Sequence, residues 1–270
     1  MLKYFFLFLF LSNSSLGSDN KHQRFTYCSN GRCQLGSPYL FHVERQHPLN
    51  LNHACKKNNH YALTFDDGPS RNYSKVLEIL DEHKIKATFF VMGKNLSSEQ
   101  SIIYLEAAHE AGHQIANHSF SHPDLRTLSQ EKILEEVQTT RKRIIEILGN
   151  TANIAEGSRY LRPPFGYIDD RVQDILEQHD FISVRWNADR YDWKLKKAQS
   201  DIVVDRVQEQ LSYIESFPNH TNLNRSILDL NHDFSQATLA ALPVMIPLIL
   251  AKGYTFVTVK ECLQGTLSPS

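Results

Sequence analysis

ALTFDDGPS (Ala62–Ser70) is the stretch whose reading decides the fold. A short apolar, β-prone run from Tyr61 to Phe65 leads into two adjacent carboxylates, Asp66 and Asp67, and is stopped at once by Gly68 and Pro69. That pattern predicts a buried strand ending in a turn. Neighbouring side chains on a strand point to opposite faces, so successive aspartates converge on one pocket only where the strand gives out. In a parallel α/β fold, strand C-terminal ends are where sites are built. A carboxylate pair there suits metal binding and base chemistry, although the same letters alone also fit an ordinary surface turn.

Outward from this stretch the punctuation is regular. After the strand at 61–66 come a helix at about 72–84, with Val76, Leu77, Ile79 and Leu80 on its buried side, and a strand at 86–91. A helix at about 98–111 follows, capped by Ser97 or Ser98 and stopped by Gly112. A short strand at 113–117 precedes the long helix Ser129 to Leu148, whose apolar residues fall on one stripe. Further strands are expected near 159–162, 182–186, 226–230 and 254–257, with helices at about 169–179, 201–215 and 238–251 between them. Pro243 and Pro247 predict that the last helix starts late or is kinked. Strands alternating with helices imply a parallel sheet, and about seven such units imply an α/β barrel.

The 270 residues fit one large α/β domain, and a net charge of -1 with mixed signs leaves no electrostatic footprint for nucleic acid or an anionic membrane. Residues 1–18 read as a signal peptide: one early lysine, an apolar core from Tyr4 to Leu11, then small and polar residues. Secretion to the extracellular space or cell wall follows, and no segment is expected to span a membrane in the mature protein. Residues 19–57 are polar and aperiodic, an expected arm or cap on the domain at 58–263, with a short tail at 264–270. Four cysteines fit an oxidising compartment. Three pairings are possible. CSNGRC places a turn between Cys28 and Cys33 and favours that pair, and Cys55–Cys262 would tie the chain entering the first strand to the chain leaving the last. A four-cysteine zinc site competes but needs two close spacings where one is present. Sequons at Asn72, Asn95, Asn219 and Asn224 permit glycans, whereas Asn117 lies too close to the expected site to carry one.

NHSFSHPDL (Asn117–Leu125) carries His118 and His122, four apart and just beyond a strand, a spacing that brings two imidazoles to one metal. With one carboxylate they make an open site of three protein ligands. His109 and His113 in HEAGH match a zinc-peptidase pattern, but that motif needs an unbroken helix and Gly112 interrupts it. Arg162 in LRPPFGY sits at a strand end in a turn stiff enough to aim a guanidinium and a backbone N–H, and an arginine keeps a neighbouring carboxylate ionised. WNADRYDW (Trp186–Trp193) offers Asp189 and Asp192 between tryptophans, and ILDLNHDF places His232 beyond another strand.

TFDDGPS, HSFSHP, RPPFG, the WNADRYDW segment and LNHD occur in this order, and through them residues 58–262 resemble the polysaccharide deacetylases of carbohydrate esterase family 4, the NodB homology domain, and most of all fungal-type chitin deacetylases. The resemblance implies a distorted (β/α)7 barrel and a metal-dependent deacetylase that releases acetate from chitin, chitooligosaccharides or related N-acetylglucosamine polymers. It implies Asp66 as catalytic base paired with Arg162, and Asp67, His118 and His122 as ligands of a divalent metal, usually zinc, with cobalt an accepted substitute. His232 matches the general acid, paired with Asp192. The Phe165 N–H would form part of an oxyanion site, and Trp193 and Leu230 would line the pocket. A monomer is expected. Arg190 departs from the family, which has a small hydroxyl residue there, and a long cation in the groove would narrow or recharge it. The rival reading is therefore a wall-associated carbohydrate-binding protein of the same fold that does not turn over chitin.

Overall fold

Apolar runs too short for helices form the strands, and the amphipathic stretches between them return the chain to the same end of the sheet. The computed structural model describes residues 53–216 and 225–265, and the backbone of 25–29 and 32–36. In order the elements are β1 (Phe25–Ser29), β2 (Arg32–Gly36), β3 (His60–Ala62), β4 (Thr64–Gly68), α1 (Tyr73–Glu82), β5 (Thr88–Val91), α2 (Glu99–Glu110), β6 (Gln114–Asn117), α3 (Gln130–Leu148), α4 (Ala152–Gly157), β7 (Tyr160–Leu161), α5 (Asp170–Gln178), β8 (Ile182–Ser183), β9 (Ala188–Asp189), α6 (Ser200–Glu215), β10 (Ile227–His232), α7 (Gln236–Ala251), β11 (Thr255–Phe256) and α8 (Val259–Gln264).

Strands β3 to β11 form one sheet in the order β11-β3-β10-β4-β5-β6-β7-β8, with β9 added to β10. Every pairing within it is parallel. This is the expected α/β architecture. Among the described residues no ladder joins β8 back to β11, so the hydrogen-bonded order of the barrel is open. No helix among them is long and apolar enough to cross a membrane.

Strand alternation divides the core in two. Leu63, Phe65, Phe89, Val91, Ile115 and Ile227 pack outward against Val76, Leu80, Leu105 and Ile144 of the helices. The intervening residues Ala62, Phe90, Ala116, Tyr160 and Leu228 point the other way and fill the barrel interior together with Val184, Val257 and Cys262. Ser98, Ser129 and Asp169 cap α2, α3 and α5 through their side chains. Expected to start late or to be kinked, α7 begins at Gln236 and runs on through both prolines. Ser235 accepts from the Thr238 N–H to nucleate that start, and Pro243 and Pro247 lie on the exposed side, where carbonyls deprived of an N–H partner can be solvated.

The expected Cys55–Cys262 disulfide is present. It is reinforced by the Lys56 N–H donating to the Cys262 carbonyl at 2.9 Å. Residues 53–57, read as arm, are thus stitched to the body. Helix α8 closes the end of the barrel where strands begin, with its Val259 and Lys260 N–H groups donating to Thr88 Oγ1 and Gln114 Oε1 at 2.9 and 2.8 Å. Met1–Pro38 forms a separate unit. Within it β1 and β2 make an antiparallel hairpin with Cys28 opposite Cys33, an element that the aperiodic sequence did not suggest. The side chains of that cysteine pair, the leader at 1–18, residues 37–52 of the arm and the tail from 266 lie outside the described residues.

Candidate active site

The same alternation that fills the barrel interior delivers the site. Continuing inward two residues at a time, Ala62 leads to Thr64 and Asp66, Ala116 to His118, Tyr160 to Arg162, and Leu228 to Leu230 and His232. The strands are parallel and in register, with His232 opposite Asp66, so these side chains gather at one end. Asp67 has the wrong parity. It joins them because its backbone turns left-handed, φ 69, at a register shift between Asp66 and Gly68. Ser119 (φ 60) and His122 (φ 67) use the same device to fold the second histidine back beside the first.

Asp67 Oδ1 is 3.3 Å from His118 Nε2 and 3.5 Å from His122 Nε2. Each of the three residues offers one ligand atom, and these atoms lie within 4.8 Å of one another. Asp67 Oδ1 is a buried oxygen without a hydrogen-bond donor. A buried acceptor left open between two imidazole nitrogens fits a cation with nitrogen and oxygen ligands. His118 Nδ1 lies 2.7 Å from the Arg162 carbonyl. A carbonyl can only accept, so Nδ1 carries a proton and Nε2 presents a lone pair to the site when the ring is neutral. Burial would raise the Asp67 carboxyl, but the close approach of His118 and the charges of His118, His232 and His122 outweigh it and hold it at about 2.

Two carboxylate pairs flank this cluster. Arg162 is fully buried. It donates from Nη1 to Asp66 Oδ1 at 2.8 Å and to Thr64 Oγ1 at 2.6 Å, with its guanidinium 4.2 Å above the Phe90 ring. The other Asp66 oxygen, Oδ2, is 3.8 Å from His118 Nε2. On the far side, His232 Nδ1 is 2.7 Å from Asp192 Oδ1, and its Nε2 is 3.9 Å from Asp67 Oδ2. Asp192 also accepts from the His232 N–H at 2.9 Å and the Thr238 hydroxyl at 2.5 Å. Burial alone would lower the His232 imidazole; the hydrogen bond and charge of Asp192, with Asp66 and Asp67 beyond, raise it to about 9.

Around the mouth, Phe165 is 55% exposed and Trp193 51%, whereas Leu230 is buried at 4%. Phe165 holds a left-handed backbone, φ 60, and its ring meets the His122 ring edge-on at 4.5 Å. Arg190 overturns its expected place in the groove. It is fully buried. Its Nε lies 3.0 Å from Asp229 Oδ1, and its Nη2 donates to Gln210 Oε1 and the Tyr61 hydroxyl at 2.5 and 3.0 Å. A guanidinium matched by a carboxylate and two neutral acceptors belongs to the core, so it neither narrows nor recharges a substrate groove.

HEAGH does not form a metal motif either. His109 ends helix α2 with Glu110, Gly112 turns left-handed at φ 82, and His113 lies in the chain entering β6. The His113 ring is buried and its Nδ1 accepts the Ala87 N–H at 3.1 Å. Burial, then the charge of Lys86, pushes this imidazole down to about 4 from an ordinary 6.5. Below about pH 6.5 the unfolded chain therefore takes up a proton that the fold refuses. The folding constant is expected to fall by about tenfold per pH unit between about 6.5 and 4 on this account, and not to change through it above 6.5. Urea midpoints across that window should show a smaller acid loss in His113→Gln; equal loss in both proteins would refute the assignment.

Several site residues were not picked out in sequence. Glu136 of α3 accepts the Phe120 and Ser121 N–H groups, both at 2.8 Å, and so holds the His118–His122 loop. Asp233 Oδ2 accepts the Ser70 N–H at 2.7 Å, while Asn72 Nδ2 donates to the Asp233 and Phe234 carbonyls at 3.1 and 3.0 Å. These bonds stitch the Asp66–Asp67 turn to the His232 loop. The amide nitrogens of three sequon asparagines, Asn72, Asn95 and Asn117, are thus hydrogen-bond donors within the fold. Asn219 and Asn224 lie outside the described residues.

A family model described as polysaccharide deacetylase matches residues 53–184. A peptidoglycan-N-acetylglucosamine deacetylase of Bacillus cereus is 33% identical over 204 residues, which cover 75% of this chain and 68% of that protein. Chitin deacetylase 1 of Cryptococcus neoformans var. grubii is 33% identical over 221 residues, covering 77% of this chain but 45% of the relative, so the match spans less than half its length. Among solved structures, the chitin deacetylase of the fungal pathogen Colletotrichum lindemuthianum aligns with a TM-score of 0.68 at 26% identity, over 80% of this chain and 92% of that one.

Proposed function

The chain belongs to the polysaccharide deacetylase family, and we propose that it hydrolyses the N-acetyl groups of chitin or a related N-acetylglucosamine polymer, releasing acetate. The observation that carries this reading is the placement of an arginine-held carboxylate and a carboxylate-held imidazole on either side of one three-donor cation site. Asp67, His118 and His122 would hold a divalent metal, with zinc the first choice for two imidazoles and a carboxylate and cobalt a workable substitute. Such a metal lowers the pKa of a water and stabilises charge developing on a carbonyl oxygen.

The remaining steps fall to the chain. Asp66, aimed by the Arg162 guanidinium, accepts the proton of the attacking water. The Phe165 N–H, presented by the left-handed turn, donates to the oxygen on which negative charge gathers. His232 donates its Nε2 proton to the departing amine nitrogen while Asp192 accepts at Nδ1 and stabilises the cationic ring. Carbon–nitrogen cleavage then leaves acetate and a free amino sugar. Exposed Phe165 and Trp193 would offer flat apolar faces to sugar rings, and buried Leu230 would pack against the acetyl group.

Acetate release from N-acetylated chitooligosaccharides, measured beside glycan strands of peptidoglycan, tests the reading. Chelation is expected to abolish release and added zinc or cobalt to restore it. Folded, metal-loaded protein that releases no acetate from either polymer would refute deacetylation of these substrates. Release from peptidoglycan alone would move the substrate to the bacterial wall.

A further inference from the structure

The cation site is assembled from two loops, and one short turn touches both. After β5 the Met92 N–H donates to the Gly68 carbonyl at 3.1 Å, on the aspartate side. The next two residues reach the histidine side: the Gly93 N–H donates to the Ser119 carbonyl and the Lys94 N–H to the Phe120 carbonyl, each at 3.0 Å. Asn95 then turns back, and its Nδ2 donates to the Asp67 carbonyl at 2.7 Å and stands 3.4 Å from that of Gly68. The fit is close. A Cβ on Gly93 would come within 2.5 Å of both Phe120 Cδ2 and Thr140 Oγ1.

We propose that Asn95 is a positioning residue for the metal site, fixing Asp67 in its left-handed conformation at the distance that His118 and His122 require. The proposal rests on the reading of those three residues as cation ligands. Asp67 must hold φ 69 without being a glycine, a conformation that a bond to its own carbonyl helps retain. Three of the five contacts named above are made by the backbone. Asn95 supplies the two side-chain ones, which a substitution removes without altering the peptide chain. Its nitrogen is also the atom that a glycan would occupy in the sequon Asn95-Leu96-Ser97, which would leave it a single N–H to offer the two carbonyls.

Zinc affinity, read by competition with a chromophoric chelator, and thermal unfolding of the metal-free protein together test this. Asn95→Ala is expected to lose about 10–100-fold in zinc affinity, the usual effect of removing a group that orients a ligand, with little change in metal-free Tm. Asn95→Asp, which has no donor to offer the two carbonyls, should lose at least as much. Ser97→Ala removes the sequon and keeps the bond, and should bind zinc like the parent. Parent-like zinc affinity in Asn95→Ala would overturn the proposal, as would a lowered metal-free Tm with affinity intact, which marks a purely structural role. Asp67→Asn is the reference: if it also binds zinc like the parent, the ligand assignment itself fails and takes the proposal with it.

Discussion

Asp66→Asn is expected to lower kcat for acetate release by about 10²–10⁴-fold, the range for loss of a positioned general base. The side chain keeps its shape and an oxygen for Arg162 Nη1, now 2.8 Å from Asp66 Oδ1. It loses the capacity to take a proton. Asp67, His118 and His122 are untouched, so bound zinc should remain near one equivalent, which separates a lost base from a lost metal. Steady-state kinetics with metal content measured on the same sample decides the matter. A variant that retains metal and more than about a tenth of parental kcat would exclude Asp66 as the base, since one such group supplies at least ~10²-fold.

The second large effect lies in the core. Arg190→Ser is expected to destabilise the protein by about 3–5 kcal/mol, because it leaves Asp229 as an unpaired charge in a fully buried position. Burial pushes the Asp229 carboxyl up and the charge of Arg190 is the strongest force opposing that, with the Tyr61 hydroxyl assisting. Arg190 also has its backbone carbonyl bonded by the Arg206 guanidinium, so the segment between β9 and Asp192 is held from two helical turns of α6. Denaturant unfolding of Arg190→Ser, Asp229→Asn and the double variant forms a cycle. The double variant should cost less than the two single losses added together. Additive losses would mean that the 3.0 Å contact carries no coupling.

What could be read in the sequence follows from how local the deciding physics is. Strand, turn and helix are written in short windows, so the ends of β4, β6, β7 and β10, and with them Asp66, His118, Arg162 and His232, were legible. Parity then brings them to one face without further information. The fate of Arg190 was not legible, because no window around it contains Asp229, Gln210 or Tyr61. Asn72 and Asn95 were misleading for the same reason. Their immediate neighbours spell glycan acceptors, while their actual partners are the His232 loop and the Asp67 turn. Two short helices were missed, although for α8 a local signal existed: Thr258 and Glu261 form a reciprocal capping box readable as Thr-x-x-Glu.

The bridge between Cys55 and Cys262 brings their Cα atoms to 4.4 Å, beside the plug that α8 makes under the strand starts. Chain therefore enters and leaves this body at adjacent points on the pole opposite the carboxylates and imidazoles. Such a body is portable: it can be spliced into a host loop whose two ends stand a few ångströms apart, without stretching the host.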